Sequence, residues 1–348
     1  MSLVDAMTLP VPRTPDPRVA PPLRWGIMAP GMIAAKFAED LHASTRQELV
    51  AVASRSRERA SEFAQRHRVQ RVHDSYEALV ADPDIDAVYV ASPHSEHQRQ
   101  TLLAIGAGKH VLVEKAFARN AAEARSMVSA ARAHGVTLME AMKTRFLPRT
   151  DIVRQLLDDG ALGELLYVRA DQGALLADVP RLLDPALAGG ALLDLGVYSV
   201  SYTVFVLGSP RQVEASGFLT RTGVDRQACL ALEGFADHPT AQAQLFSTLA
   251  AATPRSADVI GTAGRLELAG FHGPGPVRWL TATLEAHTPP GRLAGTNVMA
   301  HEIAHFAQLV ADQRQESPLM PWADTITTLE ILDQARRQLG VAYPGELR

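Results

Sequence analysis

Cysteine is almost missing: Cys229 is the only one in 348 residues. No intramolecular disulfide can form, and the chain fits a reducing, cytoplasmic setting. Neither sign of charge dominates. Against 34 Lys and Arg stand 38 Asp and Glu, a net charge of −4, and the signs are mixed along the chain. That removes the electrostatic case for nucleic acid or a membrane surface as partner. No apolar run is read as approaching the ~20 residues of a membrane span. Residues 1–22 lack the apolar core of a signal peptide and carry prolines at 10, 12, 15, 17, 21 and 22. They are read as a flexible, extended or disordered arm. Internal repeats are absent too.

What is present is enough apolar residue, 47%, for ordinary cores, and a length that suggests about two domains. Short apolar runs at Leu23–Met28, Glu48–Ala53, Asp86–Ala91, His110–Val113 and Val136–Met139 alternate with helical patterns. Strands alternating with helices predict an α/β domain with a parallel, doubly wound sheet over 23–145. Asn120 with Glu123 three residues on reads as a capping box, and Gly135 as the stop of that helix. The remainder, 146–348, reads as α+β. A helix over Asp151–Asp158 and a strand over Glu164–Asp171 come first. One apolar helix over Gly189–Leu207 follows. Five strand-like runs between Gln212 and Leu268 suggest an antiparallel sheet, and two helices, Met299–Asp312 and Asp324–Leu339, end the chain.

The first strand runs into a small-residue turn, Ala29-Pro30-Gly31-Met32-Ile33-Ala34. A dinucleotide motif has Gly at three places, here Ala29, Gly31 and Ala34. By itself this is equally a structural strand-to-helix turn. The second strand ends in Ser54-Arg55, with Arg59 one helical turn on and no acid. An acid there grips the ribose hydroxyl of NAD, whereas arginine accommodates the 2′-phosphate of NADP. Arginine in a first helical turn also opposes the helix dipole, so NADP is expected over NAD. Ser92-Pro93-His94 and His97 sit at the end of another strand, where ligands of such sheets bind; they read as a cofactor-pocket lining rather than a metal site.

Glu114-Lys115 closes the next strand. Lys115 is either a snorkelling edge residue or a catalytic group. Asp194 and Tyr198 are four apart and share a helix face. A buried tyrosine either just finds a partner or works as general acid/base, and a nearby Lys115 would favour its phenolate. His301-Glu302-Ile303-Ala304-His305 is a literal zinc-protease pattern. The extended third ligand is missing after it, with only Glu316 and Glu330 as candidates, so no metal is assigned. Cys229 reads as core packing.

These pieces together resemble the glucose-fructose oxidoreductase / inositol dehydrogenase / rhizopine-catabolism (Gfo/Idh/MocA) family, in particular its trans-dihydrodiol dehydrogenase and NADP-dependent D-xylose 1-dehydrogenase branch. The matching stretches begin at Trp25, Ala51, Ala91, Gly108, Met139, Gly189, Gly261 and Glu316. The resemblance implies a Rossmann domain and a larger, open, mostly antiparallel sheet whose face joins two copies, as a homodimer or dimer of dimers. It implies Lys115 and Tyr198 as the catalytic pair with Asp194 beside them, and Ser54 and Arg55 at the 2′-phosphate. The expected cofactor set is Ala29, Pro30, Gly31, Met32, Ile33, Ser54, Arg55, Arg59, Ser92, Pro93, His94, His97, Glu114, Lys115 and Arg145. Arg145, Arg181 and the loop 171–190 are expected to shape the pocket of a sugar, polyol or cyclic diol. The alternative is a non-catalytic NAD(P)-binding sensor. Three positions depart from the family pattern: Ala29 for Gly, Ala116 for Pro after Glu-Lys, and Lys143 for an aromatic residue.

Overall fold

The computed structural model describes residues 8–282, 284–287 and 297–346. Its first sheet holds β1 (Arg24–Met28), β2 (Glu48–Ala53), β3 (Arg71–His73), β4 (Ala87–Val90), β5 (His110–Glu114) and β6 (Leu138–Ala141). The order is β3-β2-β1-β4-β5-β6, and every neighbouring pair is parallel. Helices α1 (Met32–Ser44), α2 (Arg57–His67), α3 (Tyr76–Val80), α4 (His94–Gly106) and α5 (Ala121–His134) connect the strands.

Apolar runs rather than alternation mark these strands because both faces are covered. β4 and β6 are buried at every residue, and Trp25, Ile27 and Met28 of β1 are fully enclosed. Each such side chain contributes about 1.5–3 kcal/mol by leaving water. The Trp25 indole N–H donates to Gln47 Oε1 at 3.1 Å, so its burial leaves no orphaned donor. Ser56, Ser75 and Asn120 each cap a helix by accepting a main-chain N–H. Glu123 reaches back to the Arg119 N–H at 3.1 Å, one residue beyond the N-cap N–H of the expected capping box. The strand order reverses between β1 and β4, which sets the carboxyl ends of β1, β2, β4 and β5 around one crevice.

The second sheet has eight strands: β7 (Leu165–Gly173), β8 (Gln212–Leu219), β9 (Asp225–Glu233), β10 (Gln242–Thr248), β11 (Ala257–Gly261), β12 (Arg265–Leu268), β13 (Val277–Leu280) and β14 (Glu285–His287). Their order is β14-β13-β12-β11-β7-β10-β9-β8. Only β7 and β10 pair in parallel; the rest are antiparallel. The sequence reading lacks β13 and β14, which are three or four residues long and follow the Gly- and Pro-rich stretch 270–276. Cys229 corrects a second expectation: it is exposed. Ala228, Leu230 and Leu232 take the buried parity of β9, so the residue between them faces outward.

Helices α6 (Pro148–Asp158), α7 (Val197–Leu207), α8 (Ala300–Ala311) and α9 (Trp322–Leu339) complete the fold. α9 packs on β8, α7 and α5, and Trp322 Nε1 donates to the Leu138 carbonyl of β6 at 2.8 Å. The arm is extended rather than disordered over residues 8–16. It is anchored where Arg13 pairs with Asp151 of α6 at 2.9 Å, and the short turn Pro17–Val19 packs on α8. Residues 1–7 of the arm lie outside the described residues.

Pro185–Leu207 is, against expectation, long and apolar enough to cross a membrane by length and composition, but 89% of its apolar window is buried inside the protein. It is a core segment. Its middle is not plain α-helix either: Leu192–Gly196 is wound as a wide π turn before α7 begins. Asp225 of β9, fully buried, accepts the Leu192 N–H at 2.6 Å. Gly190, at φ +117°, lets that carboxyl come close, since a Cβ there would lie 2.2 Å from Asp225 Oδ1.

Burial raises the Asp225 carboxyl to about 7, more than its main-chain bonds to Leu192 and neighbours lower it. A folded-state value above the unfolded ~3.9 means that the native state holds the proton longer. Unfolding free energy therefore falls as pH rises from about 4 to about 7. Asp225→Asn keeps the acceptor for Leu192 and removes the titration. Chemical denaturation is expected to lose less stability between pH 5 and pH 8 in the variant than in the parent; equal slopes would contradict it. Glu140, also raised to about 7 by burial, leaves a residual slope in both.

Candidate active site

Lys115 stands at the carboxyl end of β5, and the Lys115–Ala116 peptide is cis. Its ammonium donates to the Asp194 carbonyl at 2.7 Å and lies 3.5 Å from Asp194 Oδ1. The acceptor is in the π turn, a winding common at functional sites. Arg181 reaches the same Oδ1 at 3.1 Å. Burial pushes the Asp194 carboxyl up, but Lys115, Arg181 and His94 outweigh it and hold it at about 2. Asp194 is thus a fixed anion shared by two cations.

Tyr198 follows one turn later, 8% exposed. The Lys115 ammonium is 5.0 Å from its ring centroid. Its hydroxyl has no hydrogen-bond partner among the described residues. Burial raises this phenol well above its ordinary value, and Glu114, Asp194, Glu302 and Glu140 raise it further. Lys115 would favour the phenolate, but burial, then these four carboxyl groups, dominate, and the net shift is upward. Tyr198 is a neutral phenol, a proton donor.

Beneath the pair lies a buried acidic layer. Tyr89, stacked on Phe37 at 3.9 Å, donates to Glu114 Oε1 at 2.5 Å, and the Lys115 N–H donates to Glu114 Oε2 at 3.2 Å. Glu140 accepts from Thr325 and the Phe117 N–H. Glu302 is fully buried with neither oxygen hydrogen-bonded. Burial, then repulsion from Glu114, holds its carboxyl well above the usual range.

This accounts for the zinc-like pattern differently. Glu302 faces inward, His305 Nε2 is 2.8 Å from the Ser317 hydroxyl, and no cluster of metal-ligating side chains exists among the described residues.

His97 is wholly buried, its ring nitrogens 2.9 and 2.8 Å from the carbonyls of Ala116 and Ser92. It ties the residue after Lys115 to the end of β4. His94 Nδ1 is 3.1 Å from the Ala188 carbonyl; burial, then His97, holds it at about 3, hence neutral.

Around the crevice, the residues fit a dinucleotide. Ala29 takes φ +63°, the left-handed conformation that glycine adopts without strain, so the turn keeps its shape without its first glycine. A side chain on Gly31 would meet nothing within 4 Å, leaving the backbone at the start of α1 open to a phosphate. Met32 is 86% exposed beside it, and Pro30 and Ile33 complete the turn. Ser54 supports the Ser56 N–H at 3.2 Å. Arg55 and Arg59 are exposed, and neither guanidinium has a hydrogen bond or ion pair among the described residues, whereas Arg57 between them is paired with Asp74. The Ser92 hydroxyl, next to Pro93, is buried and unpartnered.

Arg145 is not part of this group. Its guanidinium is engaged by Ser201 at 2.7 Å and Asp324 at 2.9 Å, where it bridges the turn after β6 to α7 and the start of α9. The sequence reading misses His272, whose ring is 6.4 Å from that of Tyr198; its only signal is a His inside the Gly- and Pro-rich stretch after β12.

Comparison with known proteins agrees with this geometry. Residues 23–142 match an oxidoreductase family with an NAD-binding Rossmann fold, and residues 151–267 match the GFO/IDH/MocA C-terminal domain. The chain is 39% identical over 331 residues to trans-1,2-dihydrobenzene-1,2-diol dehydrogenase of Danio rerio, covering 92% of this chain and 98% of that protein. To the Mus musculus protein of the same name it is 35% identical over 337 residues, covering 94% and 99%. Among solved structures, a 3-ketoreductase from Actinomadura kijaniata in complex with TDP-benzene and NADP superposes with a TM-score of 0.77. It is 27% identical, covering 91% of this chain and 97% of that one. An aldose-aldose oxidoreductase from Caulobacter crescentus complexed with glycerol has the same fold, with a TM-score of 0.83, 24% identity and coverage of 92% and 98%. The chain belongs to the Gfo/Idh/MocA family of oxidoreductases.

Proposed function

We propose that this protein is an NADP-dependent oxidoreductase that moves a hydride between the nicotinamide and a hydroxyl carbon of a sugar or cyclic diol. The observation that carries the reading is the convergence of Lys115, Asp194 and Tyr198 at the crevice where a doubly wound sheet takes its ligand. Relatives named as dihydrodiol dehydrogenases and a neighbour solved with NADP support it.

NADP, when bound, takes up or gives the hydride. Arg55, just past β2, and Arg59, in the first turn of α2, are unpaired among the described residues and suit the 2′-phosphate, which NAD lacks. Gly31 and the first turn of α1 suit the pyrophosphate. Tyr198 handles the proton. In carbonyl reduction its neutral hydroxyl donates a proton to the oxygen of the carbon that accepts hydride. Alcohol oxidation is the reverse: Tyr198 must first give up its own proton, and its phenolate oxygen then takes the hydroxyl proton as the C–H bond gives up its hydride, so the raised phenol favours the reduction direction. Lys115, fixed by the Asp194 carbonyl, directs an N–H toward that substrate oxygen and stabilises its developing negative charge. Asp194 holds Lys115 in place.

Lys115→Met is expected to lower NADP-dependent turnover of sugars and diols by about 100-fold or more, with a much smaller change in NADP affinity by fluorescence titration. Unchanged turnover would sink the assignment. Arg55→Glu removes one charge-assisted contact and adds a repulsion. It is expected to lower the preference for NADP over NAD by about tenfold or more; an unaltered preference would refute the role of Arg55.

A further inference from the structure

Lys143, in the turn after β6, is a cation without a partner. Its ammonium makes no hydrogen bond or ion pair among the described residues, although only part of the side chain reaches solvent. It lies 5.9 Å from the Tyr198 ring centroid, against 5.0 Å for Lys115, so two ammonium groups approach one tyrosine.

The acids whose charge acts most on Lys143, Glu114, Glu302 and Asp40, make no ion pair with it. Glu114 accepts from Tyr89 and from the Lys115 N–H. Asp40 is paired with Lys36 at 2.7 Å and accepts the Met299 N–H. Glu302 is fully buried with its carboxyl held well above the usual range by burial, and it makes no ion pair with Lys143. Desolvating an ammonium without a counter-ion is costly, and burial lowers the Lys143 pKa accordingly.

On the other side of Tyr198, His272 sits beside the Arg255 guanidinium at 3.3 Å, and its Nδ1 is buried and unpartnered. Burial, then Lys143, Arg255, Arg149 and Lys115, hold it at about 4. The four charged groups that act most on it are all cations. Among the described residues, the surroundings of His272 beside Tyr198 are therefore dominated by cations.

We propose that the substrate carries a carboxylate and that Lys143 binds it, which makes the preferred compounds hydroxy acids of the sugar-acid type rather than neutral diols. The inference rests on the oxidoreductase reading above. A single ammonium flanked by a neutral imidazole suits a monoanion. Its distance from Tyr198 places the carboxylate a few bonds from the carbon whose oxygen Tyr198 serves. Pairing with the carboxylate would return to Lys143 the counter-charge that the protein withholds. The aromatic residue that the family pattern has at this position offers no such charge.

The test uses matched pairs, D-glucuronate with D-glucose and D-galacturonate with D-galactose, which differ by a carboxylate in place of a hydroxymethyl group. With the NADP-loaded protein, the uronate of a pair is expected to bind more tightly by calorimetry and to show the higher kcat/KM. Lys143→Met is expected to lower the uronate-to-neutral ratio about tenfold or more, mainly through KM, and Lys143→Arg to restore part of it. Equal binding within each pair, no uronate binding, or a ratio unchanged by Lys143→Met overturns the inference. So does a Lys143→Met effect confined to NADP affinity, which would assign the ammonium to the cofactor. Lys115-dependent oxidation of the neutral sugars without preference would leave the proposed function standing and this inference refuted. If nothing is turned over, the proposed function fails while the calorimetry still decides the carboxylate.

Discussion

One bond joins the two halves of the site. The Lys115 ammonium, at the end of a buried strand of the first sheet, donates to the carbonyl of Asp194 in the core segment of the second domain. The Asp194 carboxylate then holds Arg181 as well. Each partner is placed by structure that the other does not share. Lys115 is set by β5 and by His97, which grips the next residue. Asp194 is set by a π turn that Asp225 anchors from β9. Tyr198 depends on both, one turn beyond Asp194 and under the Lys115 ammonium.

The second constraint is the acidic layer behind that pair. Glu114, Glu140 and Glu302 are buried, and a buried carboxyl keeps its proton unless charge or hydrogen bonds favour the anion. Burial raises all three. With Asp194, they keep Tyr198 protonated. Tyr198 is thus a raised phenol with the Lys115 and Lys143 side chains near its ring, an arrangement that, under the proposed function, would suit developing negative charge on a substrate oxygen. The glutamate of the literal zinc-protease pattern belongs to this layer: Glu302 is buried in it, His305 contacts Ser317, and no metal-ligating cluster forms among the described residues.

Much of the fold was legible in the sequence because its causes are local. Parallel strands covered on both faces must be continuous apolar runs, and helix starts carry Ser56, Ser75 and Asn120 as caps. Where the cause is distant, the sequence is silent or misleading. The π turn answers to Asp225, 33 residues away in sequence. Cys229 looks like core by its apolar neighbours, yet strand parity turns it outward. The short β13 and β14 carry too few residues to display a pattern. At the site, Lys115, Asp194 and Tyr198 are visible as residue types at strand and helix ends. The pKa of Tyr198 is not visible, because it is set by burial and by side chains from β5, the π turn, β6 and α8 that only tertiary packing assembles. Lys143 stands out against a family pattern; His272 reaches the site from a loop that has none.

The central claim is that this packing keeps Tyr198 a neutral phenol poised to donate a proton. Ultraviolet difference titration of the free protein against Tyr198→Phe isolates its ionisation from that of the other tyrosines. The account predicts that the Tyr198 phenolate forms only well above the ordinary value of 10.0, and that oxidised NADP, bringing a positive charge to the crevice, lowers that midpoint. A midpoint at or below the ordinary value in the free protein would contradict it.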